Sequence, residues 1–274
     1  MLDTDLKGLK MKKVIVVAHP DDEILFFSSI LEKVDKVIVC FGPSNNKSLT
    51  DGRKLLQNRY PLKNIEWLNL QESNVLLSAN WDQPTLTDEG ILVHRDQNVY
   101  QKNFLILAEL FKTKLAAYDE AYTHNPWGEY GHEEHILVFK AVWLATKTKK
   151  KDVYVSSYIS DRSKNVFEIQ KDLLGSDLVA EKIPKNLCDT IKKLYISTGC
   201  WTWDDEYTWP ESEVFIKLGG GKSIANSKSW SSTANPPVMF LTRSFKISYL
   251  GLLIRRLLPP TLKKNLKKIL KRIK

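Results

Sequence analysis

Two short segments hold four of the five histidines in this 274-residue sequence, and both are crowded with carboxylates. The first reads Ala18-His19-Pro20-Asp21-Asp22-Glu23. The second runs from Thr123 through His124, Gly128, Gly131 and His132 to His135. His19 and Asp22 offer one imidazole and one carboxylate to a metal, and Asp21 between them could point a second carboxylate at the same centre. His132 and His135, three apart at a helix start, share roughly one face; one could bind metal while the other faces a substrate. Two His, one carboxylate and a water make the donor set of a catalytic zinc site. Such an ion polarises a carbonyl and brings a water to a pKa of ~7. Taken singly, Asp21-Asp22 reads as a helix cap and the two His as a solvated helix start. Their joint placement weighs the other way.

That placement follows from the elements around them. Val14 to Ala18 is a β-branched run that reads as a strand buried on both faces. Glu23 to Val34 carries apolar residues at helical spacing, and Lys36 to Phe41 is a second buried strand. Strand, helix, strand is a βαβ unit and implies a parallel sheet. Further on, the pattern predicts a helix over 52–59, a strand over 65–70, a helix over 98–115 and a strand over 117–123. A helix over 132–147 and a strand over 152–158 follow, then a helix over 186–197. Residues 71–96 read as loop, as do 219–237. Both histidine segments thus follow strands, where open parallel sheets hold their ligands. The fold expected is α/β: a Rossmann-like, mainly parallel sheet flanked by helices, with a basic amphipathic helix at the C-terminus.

Composition narrows the class. With 43% hydrophobic and 27% charged residues the chain reads as globular. Three cysteines, Cys40, Cys188 and Cys200, form no CxxC pair, which argues against a disulfide framework and a thiolate zinc site. No apolar run approaches the ~20 residues of a membrane span, and the acidic N-terminal residues do not read as a signal peptide. A cytoplasmic location is expected. Residues 255–274 carry nine basic residues and no acid; removing those nine from the 41 basic residues leaves 32, equal to the 32 acidic ones. The body is neutral, so no nucleic-acid partner is expected.

His19-Pro20-Asp21-Asp22-Glu23 after a hydrophobic strand, with a later His-x-x-His behind a Thr-His-Asn and glycine-rich loop, resembles the zinc-dependent N-deacetylases of the LmbE and PIG-L type. These include the N-acetylglucosaminyl-phosphatidylinositol de-N-acetylases. The resemblance covers residues 12–150. It implies Zn2+ held by His19, Asp22 and His135, though Fe2+ accepts the same donors. It further implies Asp21 as the general base and His132 as donor to the oxyanion, an imidazolium being one suitable form. His124 is implied as an orienting or substrate-side group. Glu134 stands where family members often carry Asp.

Leu262, Leu266, Ile269, Leu270 and Ile273 recur at helical spacing among lysines behind Pro259-Pro260. A helix of this kind suits the surface of an anionic membrane, each basic residue contributing ~1 kcal/mol. Residues 1–246 are expected to form the deacetylase domain and 247–274 the tail, peripheral on the inner membrane face. The substrate expected is an amino-sugar-containing small molecule or lipid-linked saccharide, deacetylated in cell-surface glycan or glycolipid assembly. Arg53, Trp201 and Trp203 are substrate-side candidates, the tryptophans because aromatic faces stack on sugar rings. Two other readings are a deacylase of a non-sugar amide and a catalytically silent, membrane-associated binding protein.

Overall fold

The computed structural model describes residues 11–149, 151–219 and 239–241. These fall into two compact units, one of residues 11–201, 209–219 and 239–241, the other of Thr202–Thr208. In the large unit the first half alternates strands and helices: β1 (Lys13–Val17), α1 (Asp22–Phe26), β2 (Lys36–Phe41), α2 (Lys47–Arg59), β3 (Ile65–Leu70), α3 (Gln97–Lys114), β4 (Glu120–Thr123) and α4 (Glu133–Thr146). The second half adds β5 (Asp152–Ser156), β6 (Tyr158–Ile159), α5 (Lys164–Gln170), β7 (Leu174–Lys182), α6 (Lys185–Ser197), β8 (Ser212–Leu218) and β9 (Met239–Phe240).

Seven strands form one sheet in the order β3-β2-β1-β4-β5-β8-β7. The first five are parallel, and β8 and β7 join antiparallel at one edge. This is the α/β, Rossmann-like arrangement that the β-branched runs predict. Val14 to Val17 are fully buried because the sheet is covered on both faces. Alternate residues Val14, Val16 and Ala18 join Ile38 and Cys40 in a core with Tyr100, Phe104, Leu107 and Phe111 of α3 and the apolar residues of α4. The chain builds outward from β1 to β3, then returns to place β4 on the other side of β1. The carboxyl ends of β1 and β4 therefore flank a topological switch point, where such folds open a crevice.

Several elements depart from the sequence pattern. The helix expected over 23–34 stops at Phe26, with Phe27 leaving helical geometry at φ −138°. Ser28 and Ser29 turn to the buried Glu213 instead: Ser28 Oγ, Ser29 N and Ser29 Oγ donate to its carboxylate at 2.8, 2.9 and 2.6 Å. Serine competes readily with helical hydrogen bonding when such an acceptor is near. The strand expected over 152–158 is split, β5 ending at Ser156 and β6 pairing with β9 in a separate two-stranded sheet. Helix α5 and strands β7 and β8 carry no clear period in sequence; β7 alternates burial only weakly at the sheet edge. The expected boundary between residues 246 and 247, the basic helix and residues 220–237 of the expected loop lie outside the described residues. Among the described residues no helix is long and apolar enough to cross a membrane.

Candidate metal centre

The segment after β1 and the segment after β4 meet at the switch point. His19, Asp21, Asp22, His124, His132 and His135 are all buried there. Asp21 adopts φ 98°, ψ −22°, a left-handed conformation costing a non-glycine residue ~1–2 kcal/mol. Glu129 is left-handed as well, at φ 49°. Gly128 at φ 68° lets the loop fold back onto its own continuation, since a Cβ there would lie 2.6 Å from the His132 carbonyl oxygen. This turn delivers His132 as the N-cap of α4 and His135 one turn inside it.

Two overlapping groups could hold an ion: His19, His132 and His135, and Asp22, His124 and His135, their donor atoms lying within 4.8 Å of one another in each. Hydrogen bonds distinguish the members. The Ala18 N–H donates to His124 Nε2 at 2.8 Å, and Glu129 takes His124 Nδ1 at 3.1 Å, so both ring nitrogens are committed. The Glu134 N–H donates to His132 Nδ1 at 3.1 Å, which assigns the ring proton of neutral His132 to Nε2. Burial, reinforced by His19 and His135, lowers the His132 pKa well below its ordinary value. Neutral imidazole, rather than the imidazolium expected, is the favoured form, and it still presents an N–H donor.

His19, Asp22 and His135, the set that the motif resemblance implies, draw on both groups rather than forming either one. Asp22 Oδ2 lies 3.3 Å from His19 Nδ1 and 3.3 Å from His135 Nε2. Donor atoms around a tetrahedral zinc with bonds of ~2.1 Å are ~3.4 Å apart. His135 Nδ1 donates to Glu129 Oε2 at 2.8 Å, which leaves a lone pair on Nε2. That atom is buried with no hydrogen-bond partner among the described residues, facing the Asp22 oxygen. A cation between them resolves the contact of two lone pairs. The other ring nitrogen of His19, Nε2, meets Glu134 Oε2 at 2.9 Å. Each imidazole is thus backed by a carboxylate, as metal-bound histidines commonly are. The residues present fit a divalent ion.

Charge follows the same design. Burial would lower the His19 pKa, but Asp22 and Glu134 push it up to about 10, so proton and cation compete for this ring. Burial would raise the Glu129 carboxyl, but His124 and His135 hold it down at about 2. Asp22 is likewise held well below its ordinary value, against burial, by His135, His124 and His19.

Of the substrate-side candidates, His124 lies in the cluster and Arg53 feels the Asp21 charge. Arg53 is buried on α2, its Nη1 donating to the Gly42 carbonyl at 2.9 Å and pairing with Glu72. It thereby ties the chain after β2 to the chain after β3. Trp201 lies 6.0 Å from the Tyr195 ring and 6.4 Å from Trp209, with the Lys192 ammonium 5.5 Å over it. Trp203 belongs to the second unit, where it meets Tyr207 edge-on at 5.9 Å.

Sequence reasoning missed two carboxylates that build the site. Glu129 joins His124, His135, the Asn125 N–H and Ser156 Oγ. Glu133 accepts from the Ser78 and Ala79 N–H groups at 2.9 Å and Trp81 Nε1 at 3.1 Å, fastening the loop after β3 over α4. The signal was present as an excess of acids between His124 and His135, each buried in a neutral body.

Fold and site together define an α/β protein with a buried histidine–carboxylate cluster, suited to a divalent ion, at the switch point of a mainly parallel sheet. No family model matches the chain. Among curated proteins, an uncharacterized protein of Acanthamoeba polyphaga mimivirus is 28% identical over 138 residues, 49% of this chain and 57% of that protein. The match therefore spans less than two thirds of that relative's length. Among solved structures, the zinc-inhibited form of teicoplanin deacetylase is similar at TM-score 0.49 and 10% identity, covering 76% of this chain and 98% of that one. The A40926 pseudoaglycone deacetylase is similar at TM-score 0.47 and 10% identity, covering 78% of this chain and 99% of that one.

Proposed function

We propose that this chain is a metal-dependent hydrolase that removes an N-acetyl group from an amino sugar or its conjugate. His19, Asp22 and His135 hold the ion, with Zn2+ the first candidate. The observation that carries the reading is the buried, unpartnered His135 Nε2 aimed at the Asp22 carboxylate. The choice of an N-acetyl amide rests on the motif resemblance. When bound, the ion supplies Lewis acidity at the amide carbonyl and at an attacking water.

The remaining chemistry belongs to side chains. Asp21 takes a proton from the attacking water and passes it to the departing amine, so that acetate and a free amine leave. His132 donates its Nε2–H to the carbonyl oxygen as charge develops there, a contribution of ~2.7–4 kcal/mol for a well-placed donor. Glu129 and Glu134 hold the two ligand imidazoles in the required tautomers. The basic tail, on this reading, keeps the enzyme near anionic membrane and a lipid-linked or membrane-proximal amino sugar.

Metal analysis combined with acetate release from UDP-linked, lipid-linked and free N-acetylhexosamines tests the proposal. Asp21→Asn should keep the metal and lose turnover; His135→Ala should lose both. Stoichiometric metal without acetate release from any member of the panel refutes the deacetylase reading. Full metal occupancy in His135→Ala removes that residue from the ligand set.

A further inference from the structure

The left-handed backbone at Asp21 needs something to hold it. Its N–H is directed at two acceptors, Tyr195 Oη at 2.7 Å and Glu23 Oε2 at 2.9 Å. Tyr195 Oη in turn donates to Glu23 Oε1 at 2.6 Å, and Tyr60 Oη donates to the same oxygen at 2.8 Å. Glu23 is thus clamped by two phenols, and the clamp closes on the Asp21 amide. Tyr195 is fully buried near the end of α6. That helix lies beyond the part of the chain carrying the histidine motifs and supplies no group to the metal centre.

We propose that Tyr195 is a positioning residue for Asp21. Its hydroxyl, locked on Glu23, fixes the backbone conformation from which the Asp21 carboxylate projects. The inference rests on Asp21 being the proton-transfer group of the proposed deacetylase. It gives the C-terminal half of the fold a part in the reaction. A phenol that merely satisfied a buried carboxylate would affect stability alone; a positioning phenol acts through Asp21 and nothing else.

The test compares zinc-loaded, full-length Tyr195→Phe with the parent. Amide exchange followed by NMR should accelerate at Asp21 by about 10-fold or more, while the amides of Val14 to Val17 keep their protection and report an intact fold. Zinc affinity, read by competition with a chromophoric chelator, should stay within about twofold, because the groups contacting the ligands are untouched. Turnover of the best N-acetylhexosamine in the panel should fall roughly 10- to 100-fold in kcat with little change in KM, as for a reacting group displaced by ~1 Å. Adding Tyr195→Phe to Asp21→Asn should then cost almost nothing further. Unchanged exchange at Asp21 overturns the proposal, as does an equal loss of kcat in both backgrounds. If the parent releases no acetate, the deacetylase reading falls, and the exchange measurement alone decides whether Tyr195 holds the Asp21 backbone.

Discussion

Glu129→Gln probes the metal centre without touching a ligand. One oxygen of Glu129 accepts from both His135 Nδ1 and His124 Nδ1, at 2.8 and 3.1 Å; the other accepts from the Asn125 N–H at 3.0 Å and from Ser156 Oγ. A glutamine has only one oxygen to serve both sides. If its NH2 faces the imidazoles, His135 must shift its proton to Nε2, the atom aimed at Asp22, and its lone pair for the ion disappears. If the NH2 faces Asn125 instead, a buried backbone donor loses its acceptor at ~1–3 kcal/mol. In either orientation the carboxylate charge behind the His135 ring is gone. Loss of such a supporting contact weakens metal affinity about 10- to 100-fold, or ~1.4–2.8 kcal/mol. Chelator competition at fixed pH, with circular dichroism to confirm folding, reads the effect directly. A folded Glu129→Gln protein whose zinc Kd lies within twofold of the parent refutes the assignment of His135 as a carboxylate-backed ligand.

Three further outcomes are expected. Gly128→Ala places a Cβ at φ 68°, 2.6 Å from the His132 carbonyl oxygen; it should lower stability by at least ~1–2 kcal/mol in urea titrations, and a neutral result contradicts the turn described. Burial raises the Glu213 carboxyl above its ordinary value, although Ser29 and Ser28 pull it back. The folded state therefore binds this proton more tightly than the unfolded chain, and stability is lost as pH rises from ~4.3 through the folded pKa. Glu213→Gln can still accept from Ser29 and donate to Ser28, so its stability relative to the parent should improve between pH 4 and 8; a difference flat with pH contradicts the buried charge. For the proposed tail, a chain ending at Ser248 should bind phosphatidylserine vesicles more weakly than the full chain in sedimentation, and equal binding removes the membrane role.

Strands β1 and β2 were legible because a strand covered on both faces must be almost wholly apolar, and the runs at Val14 and Val37 meet that condition. Helix α3 was legible from the spacing of Phe104, Leu107, Ala108 and Phe111. The short α1 was not, because the acceptor that ends it, Glu213, lies 185 residues from Ser28 in the chain. Strand β7 escaped for a different reason: at the antiparallel edge, exposed positions weaken the alternation that a strand needs to be recognised.

By itself the sequence determined that histidines and carboxylates gather after two buried strands, since strand ends follow from local patterns of burial. Tertiary structure alone decided what each group can do. His124 is committed on both ring nitrogens because strand pairing brings the Ala18 N–H to Nε2. His132 carries its proton on Nε2 because a helix starts beneath it, and the Asp21 backbone is held by a phenol from α6. Lone pairs are directional, and which of them stay uncommitted depends on donors far away in the chain, so no reading of residue types and spacing can assign them.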